Sequence, residues 1–348
     1  MSARDQFPII DGDKVTFVWY GSEPPTLIGD FNDWGTWGID GIPTPMTQTA
    51  PDRWEVTLTF PTDAYIEYGF TVNRARYADP RNPNGTADGF GNTNSYFFMP
   101  DLIDTPLAKV QPDVPQGKVT LHQVDTRRYV IGGERVLRLY QPPVDYPTPL
   151  LMCFDGTGYM ERAGLVNIVN NLIAQGRIQP IALALMDPSG HGRVVEYACS
   201  DATVGFLIKS VLPLAQQQLN LIDITQNAGG YAIMGASMGG LMSLYASLRA
   251  PEIFGKVLCE SGAFSADHLY YRSVIYDLIR WMPPPPIKLW MDVARHEWYL
   301  HPNREMLTLL QARGYDVTYV EQNGGHNYPS WRNSVWRGLE YLFGTATR

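Results

Sequence analysis

The chain of 348 residues predicts an all-β sandwich followed by an α/β domain whose mostly parallel sheet is flanked by helices, and three features of the sequence say so. Residues 13–99 are short aromatic and β-branched runs separated by turn residues, with no helical periodicity. From residue 117 onward, apolar strands alternate with helical patterns, which is how a parallel sheet with crossover helices reads. Between them lies PDLIDTPLAKVQPDVP, whose prolines remove hydrogen-bond donors and block both helix and central strand. The organisation expected is a sandwich over 1–100, a linker over 101–116 and an α/β domain over 117–348.

In the sandwich the strand candidates are KVTFVWYG, PPTLIGDFNDW, DRWEVTLTF, AYIEYGFTV and NSYFFM. Next comes RRYVIGGERVLRLY, read as a hairpin turning at Gly132-Gly133. The parallel strands are expected at 150–154, 180–186, 231–234, 256–259, 287–293 and 316–320. Leu165, Ile168, Val169, Leu172 and Ile173 recur at helical spacing, with Gly176 where a C-cap belongs. Asn303 and Ser330 read as N-caps of the last two helices. Pro283–Pro286 reads as a stiff spacer.

Composition excludes several functions. With 45% apolar, 12% aromatic and only 18% charged residues, the chain is not disordered. A net charge of −8 argues against nucleic acid as a partner, which needs a basic face. The acidity is local, because residues 1–116 hold 16 acidic against seven basic residues and the remainder is almost balanced. No apolar run suits a secretory leader or a bilayer span, so the expectation is a soluble, cytoplasmic protein with no membrane partner. Cys153, Cys199 and Cys259 are odd in number and far apart, which fits reduced thiols better than disulfides or a zinc site.

The chemistry is concentrated at Gly235-Ala236-Ser237-Met238-Gly239-Gly240, between the strand YAIM and the helical run LMSLYASLRA. A sharp strand-to-helix turn of this kind lifts a serine above the sheet, and its glycines allow the backbone to pass close by. A serine hydroxyl needs a base, and the base needs an orienting carboxylate, in the chain order serine, acid, histidine. Of His268, His296, His301 and His326, which all follow Ser237, only His326 lies in a Gly-rich loop, NGGHNY, between the final strand and helix. The acid is Glu297 or Asp292. Position favours Glu297, in the loop at the strand's end, since Asp292 falls inside the strand. Two backbone N–H groups must bind the oxyanion, one from Met238 and one from Thr157 or its neighbour Gly156, in the loop DGTGY. Tyr159 and Trp298, beside these groups, are candidate substrate contacts. No metal or organic cofactor is required.

FDGTGY, RVVEYACSDATVGFLIKSVLPLAQ and GASMGGLMSLYASLRAPEIFGKVLCESGAF, in that order, resemble the branch of the α/β-hydrolase fold that holds enterochelin, feruloyl and acetylxylan esterases. The resemblance covers about residues 117–344. It implies a carboxylate where Glu297 stands and an oxyanion donor after Asp-Gly, at Thr157. The chain departs from the branch in reading Ala294-Arg295-His296-Glu297, where many members have Gly-Thr-x-Asp. VTFVWYG, LIGDFNDW and YADPRNPNG resemble immunoglobulin-like modules of glycogen-binding type and the sandwich of enterochelin esterases. That implies a sugar-stacking or mouth-walling role for Trp34 or Trp37, against core packing. The expected function is a Ser-His-Glu serine esterase of small-molecule esters, enterochelin-esterase-like. The alternatives are a carbohydrate esterase for feruloyl or acetyl groups, with a sugar-linked ester as substrate, and a non-catalytic glucan-binding protein.

Overall fold

The computed structural model describes residues 7–35, 41–88, 91–129, 132–264 and 272–345. They form two compact units. The first joins Met1–Asp104 with Ala294–Leu300 and Glu321–Ser330, and the second holds Thr105–Val293, His301–Val320 and Trp331–Arg348. The units therefore do not follow a single cut in the sequence.

The first unit contains β1 (Ile9–Asp11), β2 (Lys14–Tyr20), β3 (Thr26–Gly29), β4 (Thr44–Pro45), β5 (Thr47–Ala50), β6 (Arg53–Thr59), β7 (Tyr65–Val72), β8 (Ala75–Tyr77), β9 (Gly85–Ala87) and β10 (Thr93–Phe98). One sheet runs β1-β2-β6-β5 and the other β4-β3-β7-β10-β9, with β8 on β7. Val15, Phe17, Leu27, Phe60, Tyr68, Phe70 and Phe97 fill the space between the sheets. Phe17 meets Tyr68 edge-on at 4.9 Å between ring centroids, an arrangement that adds about 0.5–1.5 kcal/mol to the area buried. The buried Tyr68 hydroxyl donates to Asp79 Oδ2 at 2.7 Å, which offsets the cost of burying it.

The second unit holds the strands β11 (Lys118–Asp125), β12 (Glu134–Gln141), β13 (Leu150–Phe154), β14 (Ala182–Met186), β15 (Tyr231–Ala236) and β16 (Phe254–Glu260), and most of β17 (Lys288–His296) and half of β18 (Asp316–Gly325), whose ends from Ala294 and Glu321 onward belong to the first. They form one sheet in the order β11-β12-β14-β13-β15-β16-β17-β18. β11 and β12 are antiparallel, β12 is antiparallel to β14, and pairing is parallel from β14 through β17. Every residue of LLMCF, ALALM and YAIMGA is buried, as helices on both faces demand. Those helices are α1 (Gly156–Glu161), α2 (Leu165–Ala174), α3 (Arg193–Tyr197), α4 (Asp201–Phe206), α5 (Leu212–Gln218), α6 (Met238–Arg249), α7 (Arg272–Trp281), α8 (Leu300–Ala312) and α9 (Tyr328–Phe343). α2 ends as its sequence suggests: Gly176 has φ +67, its N–H reaches Ile173 O at 2.9 Å, and Arg177 N–H reaches Leu172 O at 3.0 Å. Among the described residues no helix is long and apolar enough to cross a membrane.

Three local expectations need correction. The hairpin does not turn at Gly132-Gly133 between flanking strands. Asp125 Oδ1 instead accepts the Arg127 N–H at 3.0 Å and starts the turn early. Thr126 then closes the loop onto Gly133 O and, through Oγ1, onto Gly132 O. Asn303 lies inside α8 and donates to Gly262 O at 2.8 Å, so it is not a cap. Ser330 lies in the first turn of α9, where the capping residue is Asn327, whose Oδ1 accepts from Ser330 N–H at 3.0 Å and Ser330 Oγ at 2.9 Å. β17 and β18 also run past Val293 and Val320, and an ion pair between Arg295 and Glu321 at 3.4 Å joins their polar ends.

Candidate active site

The sheet order places a switch point beside β13, because the chain leaves β13 for β14 on one side and returns through β15 on the other. Crevices at the C-terminal ends of strands collect at such points. β13 ends on the loop that begins Asp155-Gly156, and β15 ends on Ser237. Cys153 pairs in register with Met234, so the two strand ends are neighbours.

β15 passes into α6 with Ser237 as the sole joint, at φ 60 and ψ −124. Few residues other than glycine occupy this region, and holding one there costs about 1–3 kcal/mol. Ser237 N–H donates to Glu260 O at 2.9 Å, and Ser237 O accepts from Ala263 N–H at 3.0 Å and Leu241 N–H at 3.1 Å. These bonds hold the strained turn. A Cβ on Gly235 would sit 2.7 Å from the carbonyl carbon of Gly239, so Gly235→Ala is expected to destabilise by about 1–3 kcal/mol, measured as a lower melting temperature. The N–H of Met238 belongs to the first turn of α6, where amides have no intrahelical acceptor.

His326 and Glu297 both lie in the first unit, just beyond the ends of β18 and β17. Glu297 Oε2 is 3.2 Å from His326 Nδ1. Where the carboxylate accepts this bond, the proton sits on Nδ1 and Nε2 presents a lone pair. The rings of Trp298 and Tyr299 pack on the imidazole, at centroid distances of 4.6 and 5.4 Å. Asp292 is fully buried in the second unit, where its Oδ2 accepts from Trp290 Nε1 and Ser334 Oγ, each at 2.8 Å. His296 packs on the Phe60 ring at 5.8 Å. His268 lies outside the described residues.

In the loop after β13, Asp155 adopts a left-handed conformation at φ 52 and takes a two-pronged ion pair from Arg193 at 2.7 and 2.9 Å. The Thr157 N–H donates to Asp187 Oδ1 at 2.9 Å and its hydroxyl to Oδ2 at 2.5 Å. Arg138 Nη1 holds the same carboxylate at 3.0 Å. The amide expected to face an oxyanion is thus engaged by Asp187.

Tyr159 is a correction. It is fully buried and donates to Glu260 Oε2 at 2.6 Å, so it packs beneath the loop and presents no surface to a substrate. Burial first, and then Asp292, push the Glu260 carboxyl well above its ordinary range, partly offset by the Tyr159 bond. Unfolded, this group ionises at about 4.3; folded, it stays neutral to much higher pH. Its neutral form therefore stabilises the fold fully below the ordinary range, and that contribution is lost as pH rises toward the folded value. Glu260→Gln is expected to raise the melting temperature relative to the unaltered protein more at pH 8 than at pH 5.

Trp34 donates Nε1 to Asp30 Oδ1 at 3.3 Å, and the Arg76 guanidinium covers one ring face at 4.2 Å. That face is not open to a sugar. Trp37 lies outside the described residues. Sequence reasoning assigned no role to Asp187, Glu260 or Asp30, all carboxylates that look like ordinary turn or strand-end residues until their partners are seen.

A sequence profile of the family described as "Putative esterase" matches residues 129–342. The iron(III) enterobactin esterase of Dickeya dadantii is 26% identical over 251 residues, 66% of this chain and 56% of that protein. The iron(III) salmochelin esterase of Escherichia coli O6:H1 is 26% identical over 62% of this chain and 56% of its own length. The matched region thus spans just over half the length of these relatives. An enterochelin esterase structure from Shigella flexneri superposes with a TM-score of 0.74 at 20% identity, covering 94% of this chain and 92% of that one. A ferulic acid esterase gives 0.55 at 17% identity, covering 67% and 99%. Both share the α/β-hydrolase fold seen in the second unit. With the profile matching well over half of its residues, the chain belongs to this esterase family.

Proposed function

We propose that the protein hydrolyses small-molecule carboxylic esters through an acyl-enzyme, with Ser237 as nucleophile, His326 as general base and acid, and Glu297 as the group that orients the imidazole. The observation that carries the reading is the strained Ser237 turn at the switch point of a parallel sheet, supported by the Glu297–His326 pair. His326 Nε2 takes the Ser237 proton as Oγ attacks the ester carbonyl. The developing oxyanion is met by the Met238 N–H and, once Asp187 turns away, by the Thr157 N–H. Collapse breaks the ester C–O bond, and His326 gives its proton to the departing alcohol. Water, deprotonated by His326, then cleaves the acyl-serine and restores the enzyme.

The enterobactin and salmochelin esterases among the relatives favour siderophore esters as the substrate class. The chain's acidity lies in residues 1–116, so it gives no general attraction for an anionic ferric complex. Recognition of such a substrate would rest on local contacts. A panel of ferric enterobactin, a feruloylated sugar and p-nitrophenyl alkanoates tests this reading. Turnover of the siderophore with the highest kcat/KM is expected; preference for the sugar ester would transfer the protein to carbohydrate esterases, and no turnover of any ester would end the enzymatic reading.

A further inference from the structure

The loop that carries His326 is fastened by a carboxylate nearly three hundred residues away in sequence. Asp30 follows β3 and is only 4% exposed. Its Oδ2 accepts from Glu67 N–H at 2.8 Å and from Asn327 Nδ2 at 3.3 Å, and its Oδ1 accepts from Trp34 Nε1 at 3.3 Å. Asp30, Glu67, Trp34, Glu297 and the segment Gly325-His326-Asn327 all belong to the first unit.

Both neighbours of His326 depend on this group. A Cβ on Gly325 would fall onto the Asp30 carboxyl group, so glycine lets the backbone lie directly against it. Gly325 N–H donates in turn to Ser330 Oγ at 3.1 Å. Asn327 divides its side chain, with Nδ2 on Asp30 and Oδ1 capping α9. Sequence neighbours on either side of the imidazole are thereby anchored to one point.

Stability alone is a poor reason for this choice. A carboxylate nine-tenths or more buried costs several kcal/mol unless an opposite charge pairs with it, and the three hydrogen-bond partners of Asp30 are uncharged N–H groups. Burial and the nearby Glu67 push its carboxyl upward, Glu297 adds to this, and the bonds from Glu67 N–H and Trp34 oppose it. Among the described residues, Arg76, stacked on Trp34, is a positive group that feels the Asp30 charge without hydrogen-bonding to it. An acceptor able to serve three donors at once is what the site gains.

We propose that Asp30 is a positioning residue for His326, fixing the backbone on both sides of it so that the imidazole is aimed for proton transfer. The proposal rests on the reading of His326 as the base. The test compares kcat and KM for a p-nitrophenyl alkanoate in Asp30→Ala, Asp30→Asn, Asn327→Asp and His326→Ala, each normalised to the folded fraction from thermal melts. Because one oxygen of Asp30 serves both Glu67 N–H and Asn327 Nδ2, the carbonyl oxygen of Asp30→Asn can keep both bonds while Asp30→Ala loses them, and Asn327→Asp sets an acceptor against an acceptor.

Asp30→Ala and Asn327→Asp are each expected to lose about 10- to 100-fold in kcat with KM changed less than about threefold. Asp30→Asn should keep at least about fivefold more activity than Asp30→Ala. Asp30→Ala with kcat near that of the unaltered protein, a loss explained wholly by unfolded protein, or Asp30→Asn no better than Asp30→Ala would overturn the proposal. Full activity in His326→Ala would instead remove the base assignment. An inactive His326→Ala beside a fully active Asp30→Ala would refute the positioning role alone.

Discussion

Ser237→Ala is expected to lower kcat/KM for an activated ester by about 10,000-fold or more, because the nucleophile and its base act as a unit and losing one forfeits nearly all of their joint effect. Thermal unfolding should hardly change, since alanine must adopt the same φ 60 and ψ −124 that serine does. Ser237→Gly sharpens the experiment. It should be equally inactive yet more stable by about 1 kcal/mol, because glycine holds this backbone conformation without strain. Steady-state kinetics and melting curves on the three proteins separate loss of chemistry from loss of fold. Measurable turnover by both variants at rates near that of the unaltered protein would exclude Ser237 as the nucleophile.

That turn was legible in the sequence because its constraint is local: a strand, a tight turn and a helix in succession leave few residue types acceptable around the serine. The buried parallel strands were legible for the same kind of reason, as continuous apolar runs such as LLMCF and ALALM. What could not be read was set by distant partners. Tyr159 looks like a loop aromatic, and only Glu260 across the sheet explains why its hydroxyl can be buried. β17 and β18 extend past their apolar stretches because Arg295 and Glu321 neutralise each other there, which no periodicity announces. Asn327 caps α9 although Ser330 sits at an equally plausible spacing, and Asp30 tips the choice by holding the other side of the same amide.

The second large effect concerns the acid. Glu297→Gln should reduce kcat by about 100- to 10,000-fold, since an amide in place of the carboxylate can present its own N–H to Nδ1 and favour the wrong tautomer of His326. Asp292→Asn should leave kcat nearly unchanged while lowering stability by about 1–3 kcal/mol, because Trp290 and Ser334 donate to one oxygen that an amide can still supply, and the cost comes from bringing an amide N–H into a fully buried place. The contrast between a kinetic defect in one variant and a thermal defect in the other is the expected result. The reverse pattern would transfer the orienting role to Asp292.

The assignment of Ala294–Leu300 and Glu321–Ser330 to the same unit as the sandwich has a practical meaning for recombination. Cutting at the proline-rich segment and grafting a foreign sandwich onto the remainder would separate Asn323 from Asp63, to which it donates at 2.7 Å, and Asn327 from Asp30. The sandwich is therefore not an interchangeable cassette. A chimera that is to keep these contacts must inherit the two aspartates along with the two excursions of chain that meet them, and natural shuffling at the linker would meet the same requirement.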